Sequence, residues 1–70
     1  MNIQTLKAET SRIIKEIPDL KDEVIDLFEL AMTEIEEGGS ESHECQLAIN
    51  DMVELVKEYM SKTHSLEGAP

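Results

Sequence analysis

The two side chains with the most reactive chemistry lie in the middle of the chain, where His43 precedes Cys45 by two positions. Residues two apart on a helix point about 200° away from each other, so both cannot bind one metal ion. Cys45 also falls on an apolar stripe, which predicts a buried structural thiol. His43 lies on the polar side near a predicted helix start, and His64 follows the last periodic segment. We predict no metal site and no catalytic residue here.

Carboxylates are the other candidates for chemistry, because the chain has sixteen acidic residues. Pairs at helical spacing, such as Asp22 with Asp26, are then expected by chance. Carboxylate metal sites in helical bundles use an inward Glu-x-x-His motif, whereas Ser40 stands three residues before His43. The Gly-Gly-Ser sequence has no following Lys, which is typical of a turn and not of a phosphate-binding loop. The sequence predicts no cofactor and no enzymatic activity.

One segment resembles part of an enzyme family. The stretch LAINDMVELVKEY is similar to the second helix of small helical-hairpin phosphatases that act on aspartyl-phosphate response regulators, whose signature is Ser-Gln-Glu-Leu-Asp. The corresponding positions here are Ala48, Ile49, Asn50, Asp51 and Met52. The catalytic acid and its spacing are absent, so the resemblance implies no phosphatase activity for this chain.

Three helices must position these side chains, because apolar residues recur at alternating steps of three and four. We predict helix A over about residues 2–17, helix B over about 18–37 and helix C over about 41–62, in a single domain of residues 1–62. Residues 63–70 have no periodicity and are predicted to form a flexible tail. Helix A carries Ile3, Leu6, Thr10, Ile13 and Ile17; helix B carries Leu20, Val24, Ile25, Leu27, Phe28, Ala31, Met32 and Ile35; helix C carries Cys45, Ala48, Ile49, Met52, Val53, Leu55, Val56, Tyr59 and Met60.

Proline and glycine separate the helices. Pro18 lacks an amide hydrogen and disfavours helical geometry at the residue before it, which predicts a break after helix A. Gly38 or Gly39 can adopt the left-handed conformation that ends a helix, and Ser40 or Ser42 can cap the next one. Helices B and C should therefore form an antiparallel hairpin.

The hairpin predicts a register, because residues at equal distance from the turn lie at the same level. Numbers that add up to 77 pair Met32 with Cys45, Phe28 with Ile49, Ile25 with Met52, and Val24 with Val53. The apolar arcs of helices B and C each span about 160°, wider than one neighbouring helix covers. The predicted fold is all-α, an antiparallel helical hairpin plus an N-terminal helix in a three-helix bundle, which associates into a homodimeric bundle.

The charge of the chain narrows its partners. The net charge is -10, which argues against direct binding to nucleic acid or to an anionic membrane, since both require Lys and Arg. Residues 1–17 hold three basic and two acidic residues, for a net charge of +1, and the remainder holds three basic and fourteen acidic residues, for -11. Helix A should therefore be attracted to an acidic hairpin, in its own chain or in a neighbouring one.

Two groups of residues are candidate contact surfaces. Leu30 and Leu47 fall on the polar sides of helices B and C, and their numbers also add up to 77. Together with Tyr59 and Met60 they form a candidate partner or oligomer contact. The second group is an acidic row on helix B, whose carboxylates recur about once per turn, similar to the spacing of backbone phosphates. This row consists of Asp22, Asp26, Glu29, Glu36 and Glu37.

These features predict a non-enzymatic protein that acts by binding another protein chain, as an adaptor, a regulator or an inhibitor subunit, and that forms a homo-oligomer. The alternative is an acidic nucleic-acid mimic of the kind encoded by viruses, which blocks a DNA- or RNA-binding protein. A single cysteine excludes an internal disulfide, and the first residues lack the apolar stretch of a signal peptide or membrane span. The expected location is the cytoplasm of a bacterium or of an infected host cell.

Overall fold

A computed structural model of the protein describes the backbone of residues 2–68 and the side chains of residues 2–62. This part of the chain is all-helical and contains no strand. Helix α1 spans Ile3–Glu16, a 3-10 turn spans Pro18–Leu20, helix α2 spans Lys21–Glu36 and helix α3 spans Glu41–Gly68. Each of the three helices contacts the other two, which gives a three-helix arrangement.

The first helix begins and ends where local chemistry requires. The Asn2 side chain accepts a hydrogen bond from the Thr5 amide at 2.9 Å, which satisfies one of the free amides of the first turn. At the other end, Ile17 leaves the helical region with φ -133° and ψ 78°, because Pro18 follows it. Helix B was predicted to begin at Pro18, but the 3-10 turn comes first and α2 begins at Lys21.

The third helix continues past its predicted end at residue 62 and reaches Gly68. The predicted end of helix C rests on the point where the apolar periodicity stops. A helix can extend beyond its packed face, because its backbone hydrogen bonds do not depend on an apolar stripe. The flexible tail predicted for residues 63–70 lies outside the residues whose side chains are described.

The turn between α2 and α3 uses both glycines. Gly38 has a φ of +104°, a conformation that L residues rarely adopt. The Gly39 amide donates to the Glu34 carbonyl at 2.8 Å, and a Cβ at Gly39 would lie 2.8 Å from that same oxygen. Ser40 then caps α3, since its hydroxyl oxygen accepts from the His43 amide at 3.3 Å. Of the predicted alternatives, Gly38 has the left-handed conformation and Ser40 is the cap.

One apolar core lies between the three helices, and all three contribute to it. The predicted stripe of α1 is buried at Leu6, Thr10 and Ile13. Thr10 is the polar member, and its hydroxyl donates to the Leu6 carbonyl at 2.7 Å. The buried hydrophobic residues are Leu6, Ile13, Leu20, Val24, Ala31, Cys45, Ala48 and Met52. Phe28 and Ile49, predicted to meet across the hairpin, are both half-buried against this core.

The predicted inward position of Val53 is wrong. Val53 exposes 40% of its surface, whereas its expected counterpart Val24 is completely buried. Met52 occupies the inward position at this level of α3, and the next residue is rotated by about 100° away from it. Met60, seven residues after Val53, lies on the same face and is also exposed, at 57%. The apolar arc of α3 is therefore narrower on this side than the sequence indicated.

Helix α1 packs on the hairpin of its own chain and runs parallel to α3. The Ile3 amide donates to the Glu41 carboxylate at 3.1 Å, which joins the starts of the two helices. Forty residues apart in sequence, Tyr59 donates its hydroxyl hydrogen to the Asp19 carboxylate at 3.0 Å. This bond joins α3 to the 3-10 turn that follows α1.

The Ser40 cap predicts a measurable contribution to stability. Ser40→Ala is expected to lower the free energy of unfolding by about 1 kcal/mol, because a first-turn amide of α3 loses its partner. Ser42→Ala, two residues along and exposed, is the matched control and should change it by less than about 0.5 kcal/mol. Urea unfolding followed by circular dichroism measures both values. Equal losses in the two variants would contradict the assignment of the cap.

Candidate functional site

Helices α2 and α3 enclose a concave surface, which is a groove between them. It consists of two adjoining hollows, of about 180 Å³ near the glycine turn and about 420 Å³ farther from it. Leu27, Leu30 and Asp51 line both hollows, which makes them one continuous surface. All the lining residues belong to α2 and α3. We call this surface the α2/α3 groove.

The floor of the α2/α3 groove is apolar. Leu30 and Leu47 contribute from opposite helices to the hollow near the turn, and they remain 58% and 45% exposed. Leu55 lies in the other hollow. Leucine side chains with this exposure keep apolar area in contact with water, and burial of that area would be favourable. The complete apolar lining is Leu27, Leu30, Ala31, Leu47, Ala48 and Leu55.

The rim of the groove is acidic on both sides. Seven carboxylates and no basic side chain line the two hollows. The acidic residues are Glu23, Asp26 and Glu34 from α2, and Glu44, Asp51, Glu54 and Glu58 from α3. Within residues 2–62, the ion pairs join Arg12 to Glu9 and Glu16 on α1, and none involves the rim. The groove therefore presents an uncompensated negative field around an apolar floor.

The antiparallel register explains why residues distant in sequence meet in the groove. Leu30 and Leu47 line the same hollow, as do Glu34 and Glu44 beside the turn. Farther along, Glu23 faces the same hollow as Glu54 and Leu55. In an antiparallel hairpin, residues on two helices share a level when their numbers have a nearly constant total. The groove is therefore a consequence of the glycine turn.

The candidate contact residues do not form one surface. Leu30 and Leu47 lie in the groove, whereas Met60 lies outside it. Tyr59 is half-buried and its hydroxyl binds Asp19 within the chain. The periodicity of the sequence predicts Leu27 on the apolar arc of helix B, and in the structure this residue also lines the groove. Leu27 and Leu30 are three residues apart and therefore lie on the same side of the helix, which is the sequence signal that could have placed Leu27 beside Leu30.

The acidic row predicted on α2 is exposed along its whole length. Asp22, Asp26, Glu29, Glu36 and Glu37 all belong to the exposed class. Asp26 alone also lines the groove. The other six rim acids were absent from the predicted row, because four of them come from α3 and a single-helix pattern cannot show which neighbour they face.

The chemically reactive side chains are separate from the groove. Cys45 is a completely buried free thiol. Burial raises its pKa above the ordinary value, and the negative charges of Glu41 and Glu44 act in the same direction. His43 is exposed at the start of α3. Within the described residues, no group of three or more His, Cys, Asp or Glu side chains is arranged to hold a metal ion.

Comparison of the chain with protein-family models, with curated proteins and with solved structures gives no match. No helix in the described part is both long enough and apolar enough to cross a membrane.

The exposure of the two groove leucines predicts that each contributes less to folding than a completely buried residue. Replacement of both by serine, Leu30→Ser with Leu47→Ser, should lower the free energy of unfolding by about 1–2 kcal/mol, because about half of each side chain is already covered. Met52→Ala, at a completely buried position, should lower it by about 2–5 kcal/mol. Urea unfolding measures both. A loss in the double variant as large as that of Met52→Ala would show that the leucines belong to the core.

The buried thiol predicts a stability that depends on alkaline pH. Because the folded pKa of Cys45 lies above the ordinary value of 9.0, the folded chain retains the thiol proton where the unfolded chain loses it. The contribution of the protonated Cys45 thiol to the free energy of unfolding is complete below the pKa of the thiol in the unfolded chain. It is lost as the pH rises through the pKa of the thiol in the folded chain. Between about pH 8 and about pH 10, the wild type should lose stability relative to Cys45→Ala. A constant difference between the two unfolding free energies would contradict it.

Proposed function

We propose that this protein acts without catalysis, by binding another protein chain as an adaptor, regulator or inhibitor subunit, and that the α2/α3 groove is its contact surface. The observation that carries the proposal is the pair of exposed leucines, Leu30 and Leu47, in one hollow bounded by two packed helices. About half of each side chain remains to be buried, which is worth roughly 1 kcal/mol for each on complete burial. Exposed apolar patches rimmed by polar residues are typical of protein interaction sites.

The shape of the groove favours a protein over a small molecule. Small-molecule sites usually surround most of the ligand, with a few polar groups that converge on it. Here two hollows lie in line between α2 and α3, and the leucines of the floor stay exposed to solvent. An elongated ligand with its own apolar surface covers this floor, whereas a compact ligand leaves most of it in water. Seven rim carboxylates also repel the phosphates of a nucleic acid.

We also propose a homodimeric bundle, with its interface outside the groove. A twofold interface brings the same surface of both copies together, so contact through the groove would place seven carboxylates against seven others. Val53 and Met60 offer an exposed apolar pair without this repulsion, since neither lines the groove and exposed Lys57 lies between them. The exposure of Val53 and Met60 supports this proposed interface.

A nucleic-acid mimic is the second candidate function. It is favoured by the exposure of every carboxylate in the row Asp22, Asp26, Glu29, Glu36 and Glu37. This mechanism predicts a different partner, a protein whose own site is basic and binds phosphates. It also predicts a different response to salt, because charge contacts at a surface are screened while apolar burial persists.

We place the protein in a reducing cytoplasm, bacterial or of an infected host cell. Support comes from its single cysteine, which is a buried free thiol.

The groove proposal predicts how capture of a partner depends on particular residues. Immobilised wild-type protein should retain a partner from lysate at about 0.1 M salt and, in part, at about 1 M, where the screening length falls from about 10 to about 3 Å. Leu30→Ser with Leu47→Ser should abolish retention. Gln46→Ser with Asn50→Ser is a control at exposed positions of α3 that line neither hollow and that have no place in the proposed dimer, and it should retain the partner.

The same experiment distinguishes the mimic. A triple neutral variant, Asp22→Asn, Glu29→Gln and Glu36→Gln, leaves every groove residue intact. If the triple variant fails to capture the partner, and the wild type also fails at high salt, the charges are required. Normal capture by Leu30→Ser with Leu47→Ser would then assign the function to the acidic row. Capture that is unaffected by either set of changes would contradict both candidate functions.

The proposed dimer predicts a shift in molecular mass. Static light scattering at high micromolar concentration should give a dimer for the wild type and a monomer for Val53→Ser with Met60→Ser, because the interface loses its apolar contacts. Leu30→Ser with Leu47→Ser should remain dimeric. A monomeric wild type at these concentrations would remove the dimer proposal and leave the groove proposal unaffected.

A further inference from the structure

We infer that the occupant of the α2/α3 groove is a basic amphipathic helix of a partner protein, which presents leucine-sized side chains seven or eight residues apart and Lys or Arg on both flanks. This inference rests on the proposed function and names the partner class. Three properties of the groove support it: its length, the separation of its two hollows and the sign of its rim.

The length of the groove fits one helix. Its lining runs along α3 from Glu44 beside the turn to Glu58, fourteen residues later. At 1.5 Å per residue this is about 21 Å, or four turns of a helix. A helix that lies between α2 and α3 can also pack against both of them at the ordinary interhelical distance of about 8–10 Å. An occupant of about fourteen residues therefore covers the whole apolar floor.

The two hollows determine the spacing of the anchoring side chains. Leu47 lies in the hollow near the turn and Leu55 in the other, eight residues and about 12 Å apart along α3. On a docked helix, residues seven or eight positions apart face the same side with nearly this separation. A residue between them lies over Leu27, which both hollows share. The occupant thus carries a stripe of three apolar residues.

The rim determines the charge of the occupant. Carboxylates from α2 lie along one edge and carboxylates from α3 along the other, with no basic side chain between them. Lys and Arg on both flanks of the apolar stripe then reach the two edges, and their methylene stems cover the rest of the floor. An acidic helix at this position would place like charges together without compensation. The groove therefore selects a basic partner.

A second copy of this chain is a poor occupant. The exposed side of α1 has basic residues but no large apolar side chain to fill the hollows. Its Arg12 is already bound to Glu9 at 2.7 Å and to Glu16 at 3.3 Å. The remaining exposed apolar pair, Val53 and Met60, has only Lys57 beside it on a chain with a net charge of -10. The positive charge that matches the rim must come from another protein.

A synthetic peptide tests the occupant directly. The probe has fourteen residues with blocked ends, Leu at positions 3 and 10, Trp at position 7, Lys and Arg on both flanks and Ala elsewhere. The protein contains no Trp, so the indole fluorescence reports binding to the full chain. We expect saturable binding, with a blue shift as the ring enters an apolar site. Leu30→Ser with Leu47→Ser should weaken the affinity at least about tenfold. Gln46→Ser with Asn50→Ser, at exposed positions of α3 that line neither hollow, should leave it within about twofold.

Two control peptides separate the contributions. One has the same composition with its apolar residues scattered around the helix, and it should bind at least about tenfold more weakly. The other has Glu in place of Lys and Arg, and it should not bind. Equal affinity for the scattered peptide would reduce the interaction to non-specific charge attraction and overturn the inference. An absence of binding to the basic probe, or equal binding to the acidic one, would overturn it as well.

The result can be separated from the fate of the proposed function. If a partner is captured through Leu30 and Leu47 while the basic peptide fails to bind, the groove binds protein and the assigned partner class is wrong. If the wild type self-associates and Leu30→Ser with Leu47→Ser does not, the occupant is a second copy and the inference fails. If capture is independent of both leucines, the proposed function itself fails.

Discussion

The close packing of the glycine turn is the constraint on which the rest of the structure depends. The Gly39 amide donates to the Glu34 carbonyl at 2.8 Å, and a Cβ at Gly39 would come equally close to that oxygen. Gly38 supplies the positive φ that reverses the chain. A turn this tight leaves one register for α2 against α3, and that register determines which residues of the two helices face each other. A slip of one residue would rotate each contact by about 100° and separate Leu30 from Leu47.

Helix α1 determines which side of that hairpin stays open. Two helices in contact leave apolar surface on both sides of their contact line. Leu6 and Ile13 are buried between α1 and the hairpin, and the Ile3–Glu41 and Tyr59–Asp19 hydrogen bonds hold the helix at its two ends. The α2/α3 groove is lined without α1. A small core without large aromatic anchors is thus completed on one side, and the other side remains available for a partner.

In the proposed complex, the groove combines two interactions that act at different stages of binding. Long-range attraction between the acidic rim and a basic partner increases the rate of encounter and excludes acidic chains, and this effect decreases with salt. Burial of the leucine floor acts only in contact and supplies the part of the affinity that persists in salt. The completely buried residues Val24 and Met52 belong to the core, whereas Leu30 and Leu47 remain exposed on the floor of the groove.

Periodicity and punctuation in the sequence were enough to determine the helical fold. The α1 stripe, the break at Pro18, the glycine turn and a serine cap at the start of α3 depend on interactions within a few residues, which are encoded locally. The sequence left Ser40 and Ser42 as alternatives for that cap, and the structure assigns it to Ser40. The single-helix patterns placed Val53 inside and assigned Leu27 only to the core, and they could not unite acids from α2 with acids from α3. Those properties depend on where three helices touch. Tertiary packing alone decided which part of each apolar arc was covered and which remained as a groove. The physical reason is that burial of a side chain depends on which other helices contact it, and the residue's own helical segment does not contain that information.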